Sequence, residues 1–515
     1  MLLKVHSASV LGIEAEILDI EVDLSVSFKP QYHVVGLPDT AVKESGERVR
    51  AAIRNCGYKY PTSGTITVNL APADFKKEGS CYDLPIALAV LGLGGDLRPE
   101  TVQDWLILGE LSLDGRVRPI RGALPVALSA QRHKFVKLLL PADNAAEAAV
   151  VEGIEAYSAF SLPQVLELLN GGASNYPPRQ VDRKKLLEPE TAALPDLAHV
   201  RGQQSAKRAL EVACAGGHNI LMIGAPGSGK TMLAKRIPSI LPPMSLAEAL
   251  ETTAIHSVCG LLKDDRHFVV HRPFRAPHHT ISSAGLVGGT SNPRPGEVSL
   301  AHNGVLFLDE LTEFQRQVLE VLRQPLEEGN ITISRAARTL TFPAQFMLAA
   351  AMNPCPCGYW NSVLKSCVCT PLQIQRYLSK ISGPLLDRVD LHIDVPEVPY
   401  KELTSRAEGE PSSQVAERVR RARDIQLSRF QQACTFCNAQ MTEPELRHYC
   451  RLDDETQNML ESVIEKLGFS ARAYFRIHKV ARTIADLSGS PEIRSEHVAE
   501  ALQYRSLDRN FKNRL

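Results

Sequence analysis

The 515-residue sequence predicts an α/β fold, and two patterns support that prediction. Short apolar runs typical of buried strands, such as ITVNLAP at 66–72 and KLLLP at 137–141, alternate with helical segments such as 39–57. A glycine-rich loop, GAPGSGKT at 224–231, then joins the apolar run ILMI to another helical segment. This alternation is typical of α/β domains.

The composition is that of an ordinary globular protein. Hydrophobic residues make up 44% and charged residues 23%, and 58 basic residues balance 58 acidic ones. A nucleic-acid partner would therefore have to be held by a local basic surface. Acidic residues interrupt the apolar runs at the N-terminus and no run approaches about 18 apolar residues, so we expect a cytoplasmic protein without a membrane segment. In that compartment the 11 cysteines are expected to be buried thiols or metal ligands.

The length favours about three domains. Residues 1–170 are predicted to form an α/β domain, and 171–195, rich in Gly, Pro and charge, a linker. Residues 196–396 are predicted to form a second α/β domain, in which a helix ends at Gly216-Gly217 before the strand that leads into the loop. Residues 397–515 are predicted to form a connector and a small helical domain.

The glycine-rich loop matches the phosphate-loop pattern at every fixed position. Glycines let backbone N–H groups turn toward phosphates, the lysine reaches the β- and γ-phosphates, and the final hydroxyl is a ligand of Mg²⁺. The predicted nucleotide-binding residues of the loop are Gly224, Ala225, Pro226, Gly227, Ser228, Gly229, Lys230 and Thr231. The sequence therefore predicts that the chain binds ATP with Mg²⁺.

Two later apolar runs end in polar residues suited to the same chemistry. GVLFLDE ends in Asp309, predicted to hold Mg²⁺ together with Thr231, and in Glu310, predicted to polarise the attacking water. FMLAAAMNP places Asn353 at the end of another run, where its amide suits a residue that positions water beside the γ-phosphate. An Asn before Pro is otherwise a turn former. The predicted activity is ATP hydrolysis.

Four cysteines form the pattern C-x-C-x₉-C-x-C, with Pro and Gly residues that favour tight turns. They are Cys355, Cys357, Cys367 and Cys369. Four thiolates suffice for a closed tetrahedral Zn²⁺ site, although spacings of two to four are commoner within a pair, and buried or free thiols are the alternative. Cys434 and Cys437, with His448 and Cys450 nearby, form a weaker second candidate.

Seven segments recur in the same order in one protein family. They are VGLPDTAVKESGERVRAAI, NLAPADFKKEGSCYDLPIALAVL, GELSLDGRVRPIRGALP, GHNILMIGAPGSGKT, FRAPHHTISSAGLVGG, GVLFLDELTEF and NPCPCGYW followed by CVCTP. Through them nearly the whole chain resembles the magnesium-chelatase-like AAA+ ATPases and, among these, the ComM/YifB family. The resemblance implies an AAA+ P-loop ATPase core with a helical lid, preceded by an α/β domain similar to the protease domain of Lon.

The resemblance also implies roles for three residues. Asn353 is similar to the family's first sensor, Arg472 to its second sensor, and Arg388 in LLDRVD to the arginine finger given to a neighbour's ATP. A finger in trans implies a ring, hexameric by resemblance, in which an isolated subunit hydrolyses ATP poorly. Without the resemblance, arginines on helices, Arg482 among them, are usually solvated.

The Lon-like domain departs from a protease in its nucleophile. Where Lon has a serine within Gly-Pro-Ser-Ala, this chain has Gly79-Ser80-Cys81-Tyr82, and the segment IRGALPVALSA contains no lysine to activate a nucleophile. Because a serine needs an adjacent base, we interpret the domain as a non-proteolytic binding or assembly module.

Three functions follow from the resemblance. The first is a DNA motor, a branch-migration helicase that promotes integration of incoming DNA by homologous recombination in natural transformation. Its partners would be single-stranded and branched DNA, other copies of the chain and recombination proteins. The second is a metal-insertion accessory ATPase of the magnesium-chelatase type, against which the Lon-like domain argues. The third is an ATP-dependent protease, against which the missing lysine argues.

Two segments are candidates for gripping DNA. ITI and TLTF flank SRAAR and predict a hairpin with Arg335 and Arg338 near its tip, which related AAA+ rings place in the pore. A surface hairpin with solvated arginines is the alternative. The insert FRAPHHTISSAGLVGGTSNPRPGE offers His278, His279 and Arg294. Contacts of either kind would grip phosphates without reading sequence.

Overall fold

The structure is a computed structural model with two compact units. It describes residues 2–27, 30–186, 194–262, 267–289, 293–335, 338–360, 362, 365–398, 409–430, 435–467 and 470–505, and leaves out the side chains of 184, 185, 335, 338 and 467. The first unit is Met1–Glu188 with Ser245–Val270, and the second is Pro189–Met244 with His271–Leu515. The sheets and helices confirm the predicted α/β class.

The strands are β1 Leu2–Leu11, β2 Glu14–Ser25, β3 Gln31–Val35, β4 Thr65–Ala71, β5 Trp105–Ile107, β6 Glu110–Leu111, β7 Val117–Arg118, β8 Lys137–Pro141, β9 Glu155–Ala159, β10 Ile220–Ile223, β11 Phe274–Arg275, β12 Val305–Leu308, β13 Asn330–Arg335, β14 Arg338–Pro343, β15 Met347–Met352 and β16 Leu391–Asp394. The α-helices are α1 Thr40–Lys43, α2 Ser45–Asn55, α3 Asp83–Gly94, α4 Ala123–Arg132, α5 Ala142–Ala148, α6 Leu162–Glu167, α7 Arg183–Leu186, α8 Gln204–Gly216, α9 Lys230–Ala234, α10 Leu246–Cys259, α11 Ser283–Val287, α12 Glu297–Leu300, α13 Arg316–Glu320, α14 Arg323–Glu328, α15 Pro371–Leu378, α16 Gly383–Leu386, α17 Ser412–Arg429, α18 Glu443–Tyr449, α19 Asp454–Leu467, α20 Ala471–Leu487 and α21 Ser495–Gln503. None of the helices described is both long and apolar enough to cross a membrane.

The first unit is built on a seven-stranded sheet in the order β3-β4-β2-β1-β5-β8-β9. Along β4 the buried residues Ile66, Val68 and Leu70 alternate with half-buried ones, because successive side chains of a strand point to opposite faces. The linker expected at 171–195 begins inside this unit, which extends to Glu188 and includes α7.

The helix α10 belongs to the first unit, although the sequence placed residues 245–270 within the second α/β domain. Ala254 is buried and Leu250 half-buried in the hydrophobic cluster that contains Val126 and Ala127 of α4. This packing could not be read from the chain order, because the helix packs with residues more than 100 positions earlier.

The second unit contains a five-stranded parallel sheet in the order β11-β12-β15-β10-β16. Every residue of β10, β12 and β15 is buried, as expected for parallel strands covered on both faces. The helix α8, which precedes β10, ends at Gly217 in a left-handed conformation with φ of 70°, so the predicted stop at this glycine pair is confirmed.

The C-terminal helices share a hydrophobic core with that sheet. Val419 and Ala422 of α17 and Ala481 of α20 lie in the same cluster as Ala209 of α8 and the sheet residues. The sequence predicted a connector and a small helical domain at 397–515; in the structure these helices lie in the same compact unit as the parallel sheet. The apolar faces of these helices are buried against the alanine-rich surface of α8. Within the described residues, the helices therefore do not form a separate hydrophobic core.

Candidate nucleotide site

Three neighbouring strands end at the same edge of the parallel sheet. β10 pairs with β15, and β15 pairs with β12, all in parallel. The loop 224–231 follows β10, Asp309 follows β12 and Asn353 follows β15. Since ligands of parallel sheets bind beyond the carboxyl ends of the strands, this edge is the natural place for a site.

The glycines of the loop lie where a side chain would not fit or where the backbone is left-handed. A Cβ at Gly224 would lie 2.3 Å from the carbonyl oxygen of Val395. Gly227 and Gly229 have φ of +80° and +96°, and nothing lies within 4 Å of a Cβ built on either. The loop therefore leaves its backbone open to close approach by another molecule.

The Lys230 side chain connects the loop to the end of β15. Its Nζ donates to the carbonyl oxygens of Gly224 at 2.8 Å and Ala225 at 2.9 Å, and to Asn353 Oδ1 at 3.3 Å. Burial lowers the pKa of Lys230. The lysine and the candidate sensor amide are thus in direct contact.

Thr231, Asp309 and Glu310 form the acidic side of the site. The Thr231 hydroxyl donates to Asp309 Oδ2 at 2.7 Å, and the Glu310 N–H donates to Asp309 Oδ1 at 3.0 Å. A hydroxyl and a carboxylate side by side are the oxygen ligands that Mg²⁺ prefers, so the residues present fit that ion. Glu310 has a left-handed φ of 51°, and its carboxylate is largely exposed.

The histidines of the insert lie beside Glu310. His279 Nδ1 is 3.5 Å from Glu310 Oε2, and the rings of His278 and His279 are tilted by 33° with centroids 4.1 Å apart. Their loop follows β11, which pairs with β12, and this pairing brings the loop alongside the acidic residues. The sequence predicted a DNA contact for these histidines; the structure adds a contact with the candidate catalytic carboxylate.

Arg388 and Arg472 meet at a residue that the sequence analysis did not single out, Glu327. Arg388 Nη2 donates to Glu327 Oε1, and Arg472 Nη2 lies 3.9 Å from the same oxygen. The hydrogen bond from Arg388 holds the pKa of Glu327 below its usual value. Arg388 is 7% exposed, so a role at a neighbour's site requires this ion pair to open.

Arg482 is held in the interior, in contrast to Arg472 on the same helix. It is 3% exposed. Its guanidinium donates to the carbonyl oxygens of Ser490 at 2.6 Å and Pro491 at 2.8 Å and to Asp486 Oδ1 at 3.1 Å. These bonds make Arg482 a structural residue of the C-terminal helices.

The predicted hairpin is confirmed as the antiparallel pair β13–β14. Its register runs from Asn330 opposite Pro343 to Arg335 opposite Arg338. Residues 336–337 and the side chains of the two arginines lie outside the described part of the chain. Arg294 of the insert is exposed.

The four sulfur atoms of the C-x-C-x₉-C-x-C pattern lie within 4.8 Å of one another. The distances from Cys355 Sγ are 3.4 Å to Cys357 Sγ and 3.7 Å to Cys367 Sγ, and the Cys357 N–H points at Cys369 Sγ at 3.4 Å. Tetrahedral zinc with Zn–S bonds of about 2.3 Å places its sulfurs about 3.8 Å apart, so the cluster fits zinc. Backbone N–H groups lower the pKa of Cys357 to about 6, which favours a thiolate.

The cysteine cluster packs against the phosphate-type loop. A Cβ at Gly358, whose φ is +84°, would lie 2.5 Å from Pro226 Cδ. Among the residues described, these four cysteines are the group of three or more His, Cys, Asp or Glu side chains placed to hold a metal. Cys434 of the second candidate set lies outside the described residues, while Cys437 and Cys450 are buried and His448 is exposed.

The segment 79–82, which was expected to stand in the place of the Lon nucleophile, is engaged in structural contacts. The Ser80 hydroxyl donates to the Glu110 carboxylate, and burial raises the pKa of Cys81 to about 12. The raised pKa disfavours a Cys81 thiolate, the form of cysteine that attacks as a nucleophile.

Two residues that contact predicted site residues were not predicted from the sequence, Gln203 beside Ser228 and Glu327 beside Arg388. Gln203, with a φ of 57°, donates to the carbonyl oxygen of Ser228 at 3.2 Å and thereby steadies the loop. Glu327 belongs to no motif. Their roles depend on contacts across 25 or more residues, and no spacing in the chain signals such contacts.

A parallel sheet in this strand order, with a glycine loop after β10, an acidic pair after β12 and a polar residue after β15 between them, defines the class of AAA+ P-loop proteins. Family models agree over most of the chain: "Magnesium chelatase, subunit ChlI" matches residues 196–403, "Subunit ChlI of Mg-chelatase" 20–144, and "Magnesium chelatase, subunit ChlI C-terminal" 409–505.

The chain belongs to the ComM/YifB family of magnesium-chelatase-like AAA+ proteins. It is 45% identical over 508 residues to a Haemophilus influenzae protein named Competence protein ComM, covering 98% of this chain and 97% of that one. It is 44% identical over 507 residues to Escherichia coli YifB, with 98% and 97% covered. It is 26% identical to the magnesium-chelatase 67 kDa subunit of Heliobacterium mobile over 186 residues, which are 31% of this chain and 28% of that subunit.

Proposed function

We propose that the chain hydrolyses ATP in a ring of identical subunits and uses the energy to move branched DNA during recombination. The observation that carries the ATPase part is the position of two hydrogen-bonded pairs at one edge of the sheet, Lys230 with Asn353 and Thr231 with Asp309. The name of the Haemophilus relative supports the DNA part.

Each side chain of the site has a role in this proposal. Lys230 exchanges its bonds to the loop carbonyls for bonds to the β- and γ-phosphates. Thr231 and Asp309 hold Mg²⁺, which neutralises charge on the phosphates when bound. Glu310 accepts a proton from the attacking water, and Asn353 keeps that water in line with the γ-phosphate.

The ring follows from the proposed roles of Arg388 and Arg472. Arg388 acts on the ATP of a neighbouring subunit, and Arg472 acts as the second sensor. In related phosphoryl transfer an arginine finger contributes about 10³ to 10⁵ in rate, so assembly, as a hexamer, switches hydrolysis on.

The DNA contact is assigned to the β13–β14 hairpin, with His278, His279 and Arg294 of the insert as the second element. A two-stranded hairpin that begins directly after α14 suits a motor that grips phosphates without reading bases. The proposed activity is branch migration that promotes integration of incoming DNA in natural transformation.

The cysteine cluster is proposed to hold one structural Zn²⁺. Four sulfur ligands close the coordination shell and leave no position for a substrate. Because Gly358 packs on Pro226, the ion would steady the phosphate loop from behind.

Metal insertion is the second candidate, and the names of the matching family models favour it. The first unit was expected to argue against it, but residues 20–144 also match a model described as a magnesium-chelatase subunit, so that argument loses its force. Proteolysis is less well supported, because the segment IRGALPVALSA contains no lysine and the pKa of Cys81 is raised to about 12.

One experiment separates these candidates. ATPase activity of the purified protein is measured alone, with a branched DNA junction, and with a porphyrin and Mg²⁺, while a second assay follows migration of the junction. Stimulation by the junction together with ATP-dependent migration supports the DNA motor. An ATPase rate that is unchanged by DNA, together with no migration of the junction, refutes the DNA motor.

A further inference from the structure

One carboxylate, that of Glu327, contacts two arginines that come from distant parts of the chain. Arg388 follows α16 and is nearly buried, whereas Arg472 lies near the start of α20 and its side chain is 60% exposed. We call these three residues the arginine clamp.

The direction of the Arg388 guanidinium depends on Glu327. Its Nη1 donates to the carbonyl oxygen of Pro384 at 2.7 Å, within its own turn, and its Nε is buried with no hydrogen-bond partner among the residues described. Glu327 supplies the opposite charge. A guanidinium paired with a carboxylate offers almost no net charge to a phosphate elsewhere, so Arg388 cannot act while the pair is closed.

Glu327 is connected to the β13–β14 hairpin through the backbone and through hydrogen bonds at the end of α14. α14 ends at Glu328, Gly329 turns the chain with a φ of 66°, and β13 begins at Asn330. Asn330 Nδ2 donates to the Glu328 carbonyl oxygen at 3.2 Å. From the other strand, the N–H of Ala344 donates to the Gly329 carbonyl oxygen at 2.8 Å. A displacement of the hairpin therefore moves the last turn of α14 and, with it, Glu327.

The arginine side of the clamp is anchored separately. Arg476, one helical turn after Arg472, pairs with the buried Asp390, two residues after Arg388. Asp390 also accepts from the Asn219 N–H at 2.9 Å, next to β10. The segments that carry the two arginines are thus held to each other and to the start of β10. The clamp can therefore open by loss of the contacts between Glu327 and the arginines.

We propose that Glu327 is a positioning residue that makes ATP turnover depend on the hairpin. In the closed clamp the Glu327 carboxylate neutralises the charge of Arg388 and keeps its guanidinium in a buried position. When DNA displaces the hairpin, Glu327 withdraws and Arg388 becomes available to the neighbouring subunit. This inference rests on the proposed function, because it requires Arg388 to act on ATP and the hairpin to meet DNA.

The test is Glu327→Gln in the full-length protein, with steady-state ATPase rates measured with and without a branched DNA junction. Glutamine keeps the shape and removes the charge. We expect the DNA-free kcat to rise about threefold, the scale of a partly exposed ion pair, while the KM for ATP and the DNA-stimulated kcat stay at wild-type values. The DNA stimulation ratio should fall by the same factor.

Glu328→Gln is the matched control, because this neighbour on the same helix bonds to Gln324 and not to the arginines. It should behave as wild type. A Glu327→Gln variant with an unchanged DNA-free rate, or with both rates lowered together as a structural role predicts, overturns the inference.

Adding Arg388→Ala separates the proposed finger role of Arg388 from the proposed positioning role of Glu327. Arg388→Ala should be inactive, and Glu327→Gln should bring no rise in its presence. If Arg388→Ala hydrolyses ATP normally, the proposed finger is wrong. If Arg388→Ala is inactive but Glu327→Gln alone behaves as wild type, the finger stands and the role of Glu327 is wrong.

Discussion

The strand-end site and the arginine clamp hold their side chains in different ways. At the sheet edge, Lys230 and Asp309 are placed by a buried parallel sheet and by bonds to the backbone of the loop and its neighbours. In the clamp, the side chains of Arg388, which follows α16, and Arg472 of α20 meet at the carboxylate of Glu327 on α14. The first arrangement is rigid because strands position it. The second can change by rotation of side chains or by a small shift of one helix.

This difference suggests a division of labour between the two regions. The strand-end site is built to bind the same ligand in the same geometry at every turnover, as preorganised catalysis requires. The clamp is built from partly exposed ion pairs, which are individually weak and can be exchanged for other partners. We therefore expect substitutions at the first region to abolish an activity and substitutions at the second to alter its control.

The largest effect is expected at Lys230. Lys230→Ala should remove ATP binding, because no other described side chain reaches both the loop carbonyls and Asn353, whereas Glu310→Gln should bind ATP and stall before hydrolysis. Nucleotide binding by fluorescence and turnover by phosphate release distinguish the two variants. A wild-type ATPase rate in either variant would show that the strand-end site is not the site of ATP hydrolysis.

The next effect is expected at Arg388. Arg388→Ala should leave ATP binding nearly unchanged but lower the ATPase rate of the assembled ring by about 10³, because the missing charge acts on a neighbour's transition state. Mixing this variant with Lys230→Ala tests action in trans, since some mixed interfaces regain a complete site. If no activity is recovered although the variants assemble together, Arg388 acts on the ATP of its own subunit.

A third prediction concerns the support behind the loop. Metal analysis should find about one Zn²⁺ per chain, and Cys357→Ser should lower the thermal unfolding temperature, because the binding energy of a closed zinc site is folding energy. Cys56→Ser, outside the cluster, is the control and should keep the metal. Metal-free protein with wild-type stability and activity would end the zinc assignment.

The smallest effect on the chemical step is expected at the hairpin. Arg335→Ala with Arg338→Ala should keep ring formation and DNA-free ATPase activity, lose stimulation by DNA and fail to migrate a junction. The slope of the logarithm of the DNA-binding constant against the logarithm of the salt concentration should fall by the equivalent of about two phosphate contacts. If the double variant moves junctions at the wild-type rate, the insert with His278, His279 and Arg294 becomes the gripping element.

The strand-end residues could be predicted from the sequence because each stands directly after a buried apolar run. The motif GAPGSGKT and the carboxylates after GVLFL need nothing more than the alternation of strands and helices to be recognised. Their convergence follows from a general property of parallel sheets, whose strand ends share one edge. The hairpin was predictable for a similar reason, since β-like runs on either side of a short polar segment pair locally.

The clamp, the position of α10 and the contact of His279 with Glu310 were not predictable in this way. Glu327, Arg388 and Arg472 are separated by 61 and 84 positions in the chain, and each alone resembles a solvated helix residue. The helix α10 joins the first unit because its apolar face finds α4 there, although it lies between segments of the second unit in the chain.

The sequence by itself determined the class of fold, the identity of the phosphate-type loop and the acidic pair, and the spacing of the four cysteines. Those features are local, because their chemistry requires fixed residues within a few positions of each other. The tertiary structure decided which distant side chains share a carboxylate, which helix belongs to which unit, and that the cysteine cluster lies against the loop through Gly358 and Pro226. Those features depend on packing of apolar faces, which many sequences satisfy and no short pattern specifies.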